Sequence, residues 1–431
     1  MTHAPDRPDP RSALGRPLRM RNPIRGYDWG STTRLAQLQG RGPSASPEAE
    51  LWMGAHQGDP STVILDEESG AGMSLRDLVH RHPASVLGDT TLARFGVRLP
   101  FLLKVLGVER ALSIQVHPGP EAAEAGFLAE EAAGVPLDAP HRRYLDRHAK
   151  PEFLYALTPF DALAGFREAS ESAGLVEAFG VAELAPVLAA LRGHGTAGLV
   201  SDDTHPQLAA LATLVHLPPQ RRVELADAVA ARARELTEAG SADPELAALL
   251  PWITKLAGEH PGDPLVTAPL LLRLHRLEPG GTIYLPAGVP HAYLLGTGVE
   301  IMGASDNVLR AGLTTKAVAT EELLATLDPE AGPTIGAPAR GEEARGRSWT
   351  FPAAEFALTH QVVDPSPRGA ALERAEHPQI VLCIRGTVTI EGCGVNLTLR
   401  GGDSVFLPAD CGDVHLSGDG EVFRASPGPA D

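Results

Sequence analysis

Residues 112–118 read LSIQVHP, and residues 285–294 read LPAGVPHAYL. The first is a short alternation of apolar and polar residues closed by Pro118, the pattern of a β-strand. On a strand, alternate side chains share a face. Gln115 and His117 therefore converge on one side and can approach one ion. The second stretch is a Gly/Pro turn, Pro286 and Gly288, that delivers His291 into the following strand. Both stretches, far apart in the chain, thus offer side chains that could meet at one ion.

The missing ligand is expected to be a carboxylate. Glu152 opens the run PEFLYAL (151–157), a predicted strand in which Glu152 is flanked by apolar residues. A carboxylate in such a place is costly to bury unless a cation meets it. Gln115, His117, Glu152 and His291 together offer two imidazole nitrogens, two oxygens and no sulfur. That set suits zinc with one position left open, and iron or manganese as well.

Strand patterns recur around this set. STVIL (61–65) and LPFLLKVL (99–106) read as strands, and residues 120–133 read as a helix. Residues 167–260 change character: Leu and Ala recur at helical spacing, broken by Gly and Pro, which predicts a helical insertion. Strand character returns over 270–296, with a helical piece near 316–327. The Gly-, Pro- and Arg-rich segment 328–346 reads as a linker, and 347–431 as an all-β module. Residues 1–21 read as a disordered tail. Residues 280–288, GGTIYLPAG, are echoed by residues 401–410, GGDSVFLPAD, with a Gly six residues before the Pro in each. The echo predicts a second barrel related to the first. Its position matching His291 is Asp413, so it is expected to hold no metal. The expected architecture is mainly β: two jelly-roll barrels and an α-helical domain, the metal barrel built from 22–166 and 261–327.

Composition narrows the function. The chain has 431 residues and a net charge of −17. It does not bind nucleic acid by bulk electrostatics, so an anionic ligand must meet a local cluster of cations. No apolar run approaches the roughly 18 residues of a membrane span. The three cysteines, Cys383, Cys393 and Cys411, form neither a disulfide scaffold nor a Cys-rich zinc module, which fits a cytoplasmic enzyme. Of 37 basic residues, only Lys104, Lys150, Lys255 and Lys316 are lysines, so each is a candidate for a specific role.

The turn that delivers His291 resembles the second half of the cupin metal motif, although Leu295 stands where the generic cupin has Asn. The broader resemblance is to type I phosphomannose isomerases. NPIRGYDWGS (22–31), ELWMGAH (50–56), LPFLLKVL (99–106), LSIQVHP (112–118), KPEFLYAL (150–157), LPAGVPHAYL (285–294) and VEIMGASDNVLRAGLTTK (299–316) follow in that family's order. The resemblance implies that Gln115, His117, Glu152 and His291 hold one zinc ion and that Arg310 is an active-site arginine. It places Ser113, Lys150, Glu300 and Lys316 in the sugar-phosphate pocket, with Asp306 as a further substrate contact. It breaks at Ala149, where the family usually carries His before Lys-Pro-Glu, and at Thr315, where the family has Pro.

The reaction so implied interconverts mannose 6-phosphate and fructose 6-phosphate through a cis-enediolate, which links mannose metabolism and GDP-mannose supply to glycolysis. Lys150, Glu300 and Asp306 are the candidates for the group that moves the proton. Arg310 and Lys316, six residues apart, supply positive charge for the phosphate. The expected partner is this small sugar phosphate, with no nucleic acid or membrane, and the chain is expected to be a monomer or a weak homo-oligomer. A cupin dioxygenase would use iron in a similar pocket, but its usual His-x-His motif is absent. A non-catalytic sugar-phosphate binder would not need all four ligands, and all four are present.

Overall fold

The computed structural model describes residues 14–194, 198–201, 203–316, 318–339, 345–365, 370–372 and 376–429. Two antiparallel sheet systems dominate it, with a group of helices on one flank.

The 11-stranded sheet system is organised around the long strand His291–Gly303. Its C-terminal half pairs with Phe101–Val108 on one side and Glu152–Ala156 on the other. Its N-terminal half pairs with Ile114–Val116 and Phe160–Phe166. Leu309–Gly312 adds beyond Ile114–Val116.

Alternation sorts the side chains of this barrel into three destinations. Leu163, Ile114, Val116, Ala292, Leu309 and Ala311 face outward and pack against the helices. Phe153, Leu103, Val105, Val299 and Ile301 also face outward, but on the other side, where they meet Leu358, Ile380, Phe406 and Phe423 of the C-terminal sheet. The alternate residues, among them Gln115, Glu152, His291 and Glu300, turn inward. The barrel is thus clamped between two apolar layers, and its polar side chains have only the interior to occupy.

The helical insertion forms as its spacing predicts. Helices span Ala169–Phe179, Ala185–Leu191, Pro206–Val215, Pro219–Ala239 and Pro244–Glu259. Prolines at the first turn start four of these five, where a missing N–H costs nothing. Asp263, just past the insertion, joins the turn that follows it to the end of the strand Leu309–Gly312. Its carboxylate accepts from Leu265 N at 2.8 Å and from Leu313 N at 2.7 Å, holding Leu313 at a positive φ of 54°.

The repeated turn is a real structural repeat. Thr282–Leu285 and Ser404–Leu407 are both four-residue, fully buried strands. Each follows a glycine in the left-handed region, Gly280 at φ 89° and Gly402 at φ 85°. The interior of the C-terminal module is filled by Val381, Cys383, Ile390, Leu399 and Leu416. His415 is exposed.

Three expectations about boundaries are corrected. Of the expected N-terminal tail, Leu18–Arg21 is a strand that pairs with Ser404–Leu407 and with Thr62–Asp66. Residues 1–13 lie outside the described residues. Its alternation explains the strand: Leu18 and Met20 enter the shared core while Arg21 faces solvent. Thr62–Asp66 and Ala71–Ser74 likewise belong to the C-terminal sheet, so that module is completed by N-terminal chain. The expected linker is anchored too: Thr334–Gly336 pairs with Thr282–Tyr284.

Candidate metal centre and active site

Register brings the sequence-predicted ligands together. His291 and Arg310 both stand opposite Gln115, on its two neighbouring strands. Directly opposed residues share a face, so Arg310, Gln115 and His291 form one inward row. His117 is the first residue after the Ile114–Val116 strand, and Glu152 opens its own strand. His117, Glu152 and His291 are all buried, with one ligand atom of each within 4.8 Å of the others.

Both imidazoles are held in one tautomer. His117 Nδ1 lies 2.8 Å from the Asn307 carbonyl oxygen and His291 Nδ1 lies 2.9 Å from that of Val289. A carbonyl only accepts, so each Nδ1 carries a proton, and in the neutral ring Nε2 presents a lone pair. Those Nε2 atoms face the two oxygens of Glu152 at 3.2 and 3.3 Å. His117 Nε2 is buried and makes no hydrogen bond. Lone pairs aimed at a carboxylate repel it unless a cation lies between them, and the fixed Nδ1 contacts are those of imidazole ligands. Gln115 Nε2 donates to Ser113 Oγ at 3.2 Å, which leaves Oε1 free to coordinate.

The charges around this centre support the same reading. Burial pushes the His117 imidazole down to about 4, with the Lys150 ammonium adding to the effect, so the ring is a neutral ligand at pH 7. Burial alone would raise Glu152, but Lys150 Nζ at 2.9 Å together with the His117 and His291 contacts outweighs it and holds the carboxyl well below its usual range.

A cavity opens beside the triad, lined by Ser113, Gln115, Lys150, Glu152, His291 and Glu300. Glu300 is pushed up to about 7 by burial and by the nearby Glu152 charge, against the pull of Lys104. Sequence reasoning left Lys104 and Glu50 outside the site. The structure places Lys104 Nζ between Glu300 at 3.4 Å and Glu50 at 3.6 Å, and all three are buried. The signal was available: a lone lysine inside the apolar strand FLLKVL must have a buried partner. Tyr293 also lines the cavity, its hydroxyl buried.

Arg310 and Lys316 lie close enough that the guanidinium charge, with some burial, lowers the Lys316 ammonium. Lys316 is exposed, so this cationic pair stands between the inward row and solvent. Asp306 lies outside the lining of the cavity beside the triad but feels the Lys150 charge. Its carboxylate meets His56 Nε2 at 2.9 Å and lines a different cavity, together with His148. The turn after Gly303 carries it beyond the end of the barrel strand. Ala149 is buried, and His148 lines the second cavity with Asp306.

Residues 18–169 match the family described as phosphomannose isomerase type I, catalytic domain, and residues 348–427 match mannose-6-phosphate isomerase, cupin domain. The mannose-6-phosphate isomerase of Escherichia coli (strain K12) is 36% identical over 409 residues, covering 94% of this chain and 97% of the relative. This chain belongs to the type I phosphomannose isomerase family. Within that family, the rat mannose-6-phosphate isomerase is 31% identical, with 88% and 84% covered. Among solved phosphomannose isomerases, the Salmonella typhimurium enzyme bound to fructose 6-phosphate and zinc superposes with a TM-score of 0.80 at 32% identity, covering 96% of this chain and all of that one. A zinc-bound holo structure gives the same TM-score and coverage. No helix among the described residues is long and apolar enough to cross a membrane.

Proposed function

We propose that this chain is a zinc-dependent mannose-6-phosphate isomerase. The observation that carries the reading is the pair of imidazole lone pairs directed at one buried carboxylate, in a cavity that also holds Lys150, Lys104 and Glu300. His117, His291, Glu152 and Gln115 would hold the zinc. When bound, it supplies Lewis-acid polarisation of the sugar's carbonyl and hydroxyl oxygens, an effect worth several kcal/mol in such sites.

The remaining work falls to the chain's own side chains. The aldose and ketose differ by one proton moved between C2 and C1, through a cis-enediolate. Glu300, poised near 7 and steadied by Lys104, takes the proton from one carbon and returns it to the other. Lys150 donates a hydrogen bond where negative charge develops on oxygen. Arg310 presents a planar fork and Lys316 a point charge to the phosphate, and Ser113 adds a hydroxyl. These cations offset locally the repulsion that an acidic chain exerts on an anionic substrate.

A coupled assay on mannose 6-phosphate tests this reading. Turnover is expected in the zinc-loaded protein, its loss after chelation, and its return with added zinc. Absence of turnover in zinc-loaded protein would refute it.

A further inference from the structure

The C-terminal module repeats more of the metal barrel than its turn. Leu285, before Pro286, stands opposite Glu152, and Leu407, before Pro408, stands opposite Gln379. Two residues further along, Leu154 stands opposite Glu300 and Val381 opposite Arg424. By this register Gln379 holds the place of Glu152, and Arg424 holds the place of Glu300. Just upstream, Lys150-Pro151 is matched by His377-Pro378. The trio Lys150, Glu152 and Glu300, which lines the metal cavity, thus returns as His377, Gln379 and Arg424.

The positions recur with their charges exchanged. Where the metal barrel sets two carboxylates, the C-terminal module sets an amide and a guanidinium. Directly opposed residues share a face. Arg424 lies between Val381 and Thr359, and Gln379 lies opposite Leu407. Val381 and Leu407 both belong to the apolar interior of the module, so Arg424 and Gln379 turn toward that interior. Ser348 continues the row beyond Thr359, its Oγ 2.9 Å from Thr359 Oγ1. Ser348 is exposed, and the row therefore opens to solvent at this edge.

The polar groups in this row are unmet. Gln379 is only 3% exposed, and its Oε1 is buried without a hydrogen-bond partner. Arg424 forms no ion pair among the described residues, and burial lowers its guanidinium with no carboxylate to raise it again. Burial, and then the Arg424 charge, lowers the His377 imidazole. The two side chains are thus near neighbours, and the ring is neutral at pH 7. Glu376, beside His377 in the chain, is exposed and shifts neither group. Leaving a buried acceptor and a half-buried cation without partners is costly.

We propose that this mouth of the C-terminal module binds a small hydroxycarboxylate, its carboxylate held by Arg424 and a hydroxyl by Gln379, with His377 beside them. A guanidinium matches a carboxylate in a bidentate fork. One cation beside a neutral imidazole balances one negative charge, whereas a dianion would keep a charge uncompensated. The hydroxyl is required because carboxylate oxygens only accept, and the buried Oε1 needs a donor. The site shares no side chain with the metal cavity, so it stands independently of the isomerase reading.

The test uses the full-length, zinc-loaded chain and D-glycerate as the probe. Calorimetric titration at constant ionic strength is expected to show saturable binding that Arg424→Met weakens by about tenfold or more, the scale of one charge-assisted hydrogen bond. Gln379→Glu, an isosteric change, supplies the guanidinium with a carboxylate from within the chain and should weaken binding at least as much. Should Arg424→Met fail to fold, Gln379→Glu is read in its place. Acetate, which lacks the hydroxyl, should bind about threefold or more weakly than glycerate. Both variants should keep kcat/KM for mannose 6-phosphate within about twofold of the native value, and the binding measurement does not depend on turnover. Absence of saturable glycerate binding would overturn the proposal. Glycerate binding unaltered by these variants belongs to the metal cavity and would overturn it too, as would tighter binding of inorganic phosphate than of glycerate at the component that Arg424→Met removes.

Discussion

Replacing Lys104 with Met keeps the length of the side chain and removes its charge. In the native chain the ammonium lies 3.4 Å from Glu300 and 3.6 Å from Glu50, and Lys104, Glu50 and Glu300 are exposed by only 7%, 7% and 3%. Burial works against the charge of Lys104, but the two carboxylates outweigh it and hold the ammonium protonated above its usual range. Breaking a buried pair by deleting one partner costs about 3–5 kcal/mol, because the other charge is left uncompensated. Here two carboxylates lose their cation, so the upper half of that range is expected at pH 8. The loss should shrink on acidification. Glu300 already sits near 7 in the native chain, and without Lys104 its carboxyl moves higher still. As pH falls, a proton neutralises the stranded Glu300 in the folded variant and relieves the repulsion, so the variant recovers relative to the native protein by pH 5. Denaturant unfolding at the two pH values measures this. A loss below about 1 kcal/mol at pH 8, or a loss equal at both pH values, would refute the reasoning.

Arg310→Ala should lower turnover on mannose 6-phosphate by about 100-fold or more, the scale of a lost transition-state electrostatic contact, with bound zinc unchanged by metal analysis. Glu300 must be ionised to accept a proton, so kcat/KM should fall as pH drops through about 7; Glu300→Gln should lower the rate and abolish that limb. Phe423→Ala, in the core shared by the barrel and the C-terminal sheet, should cost about 3–5 kcal/mol in unfolding experiments.

Much of the site was legible because it depends on local rules. Gln115 and His117 follow from strand alternation, His291 from a turn whose Gly and Pro are visible, and Glu152 from the cost of burying a lone carboxylate. What was not legible depends on partners distant in the chain. The strand Leu18–Arg21 exists because Ser404–Leu407 offers it an edge, although its alternation of Leu, Arg, Met and Arg was a usable sign. Asp306 lies in the same motif as Arg310, yet a turn after Gly303 sends it to the second cavity while Arg310 returns on a strand beside Gln115. Motif membership does not encode that direction. Lys104 was visible as an oddity, but its two carboxylate partners come from separate strands.

The isomerase chemistry requires His117, Glu152, His291 and Gln115 to meet at one divalent ion. Metal content and isomerisation rate, measured on the same samples across a zinc titration of chelated native and His117→Ala protein, test that most directly. The native chain should bind one zinc, with rate rising in proportion to occupancy, and the variant should lose both together. Full turnover in native protein stripped of metal would contradict it.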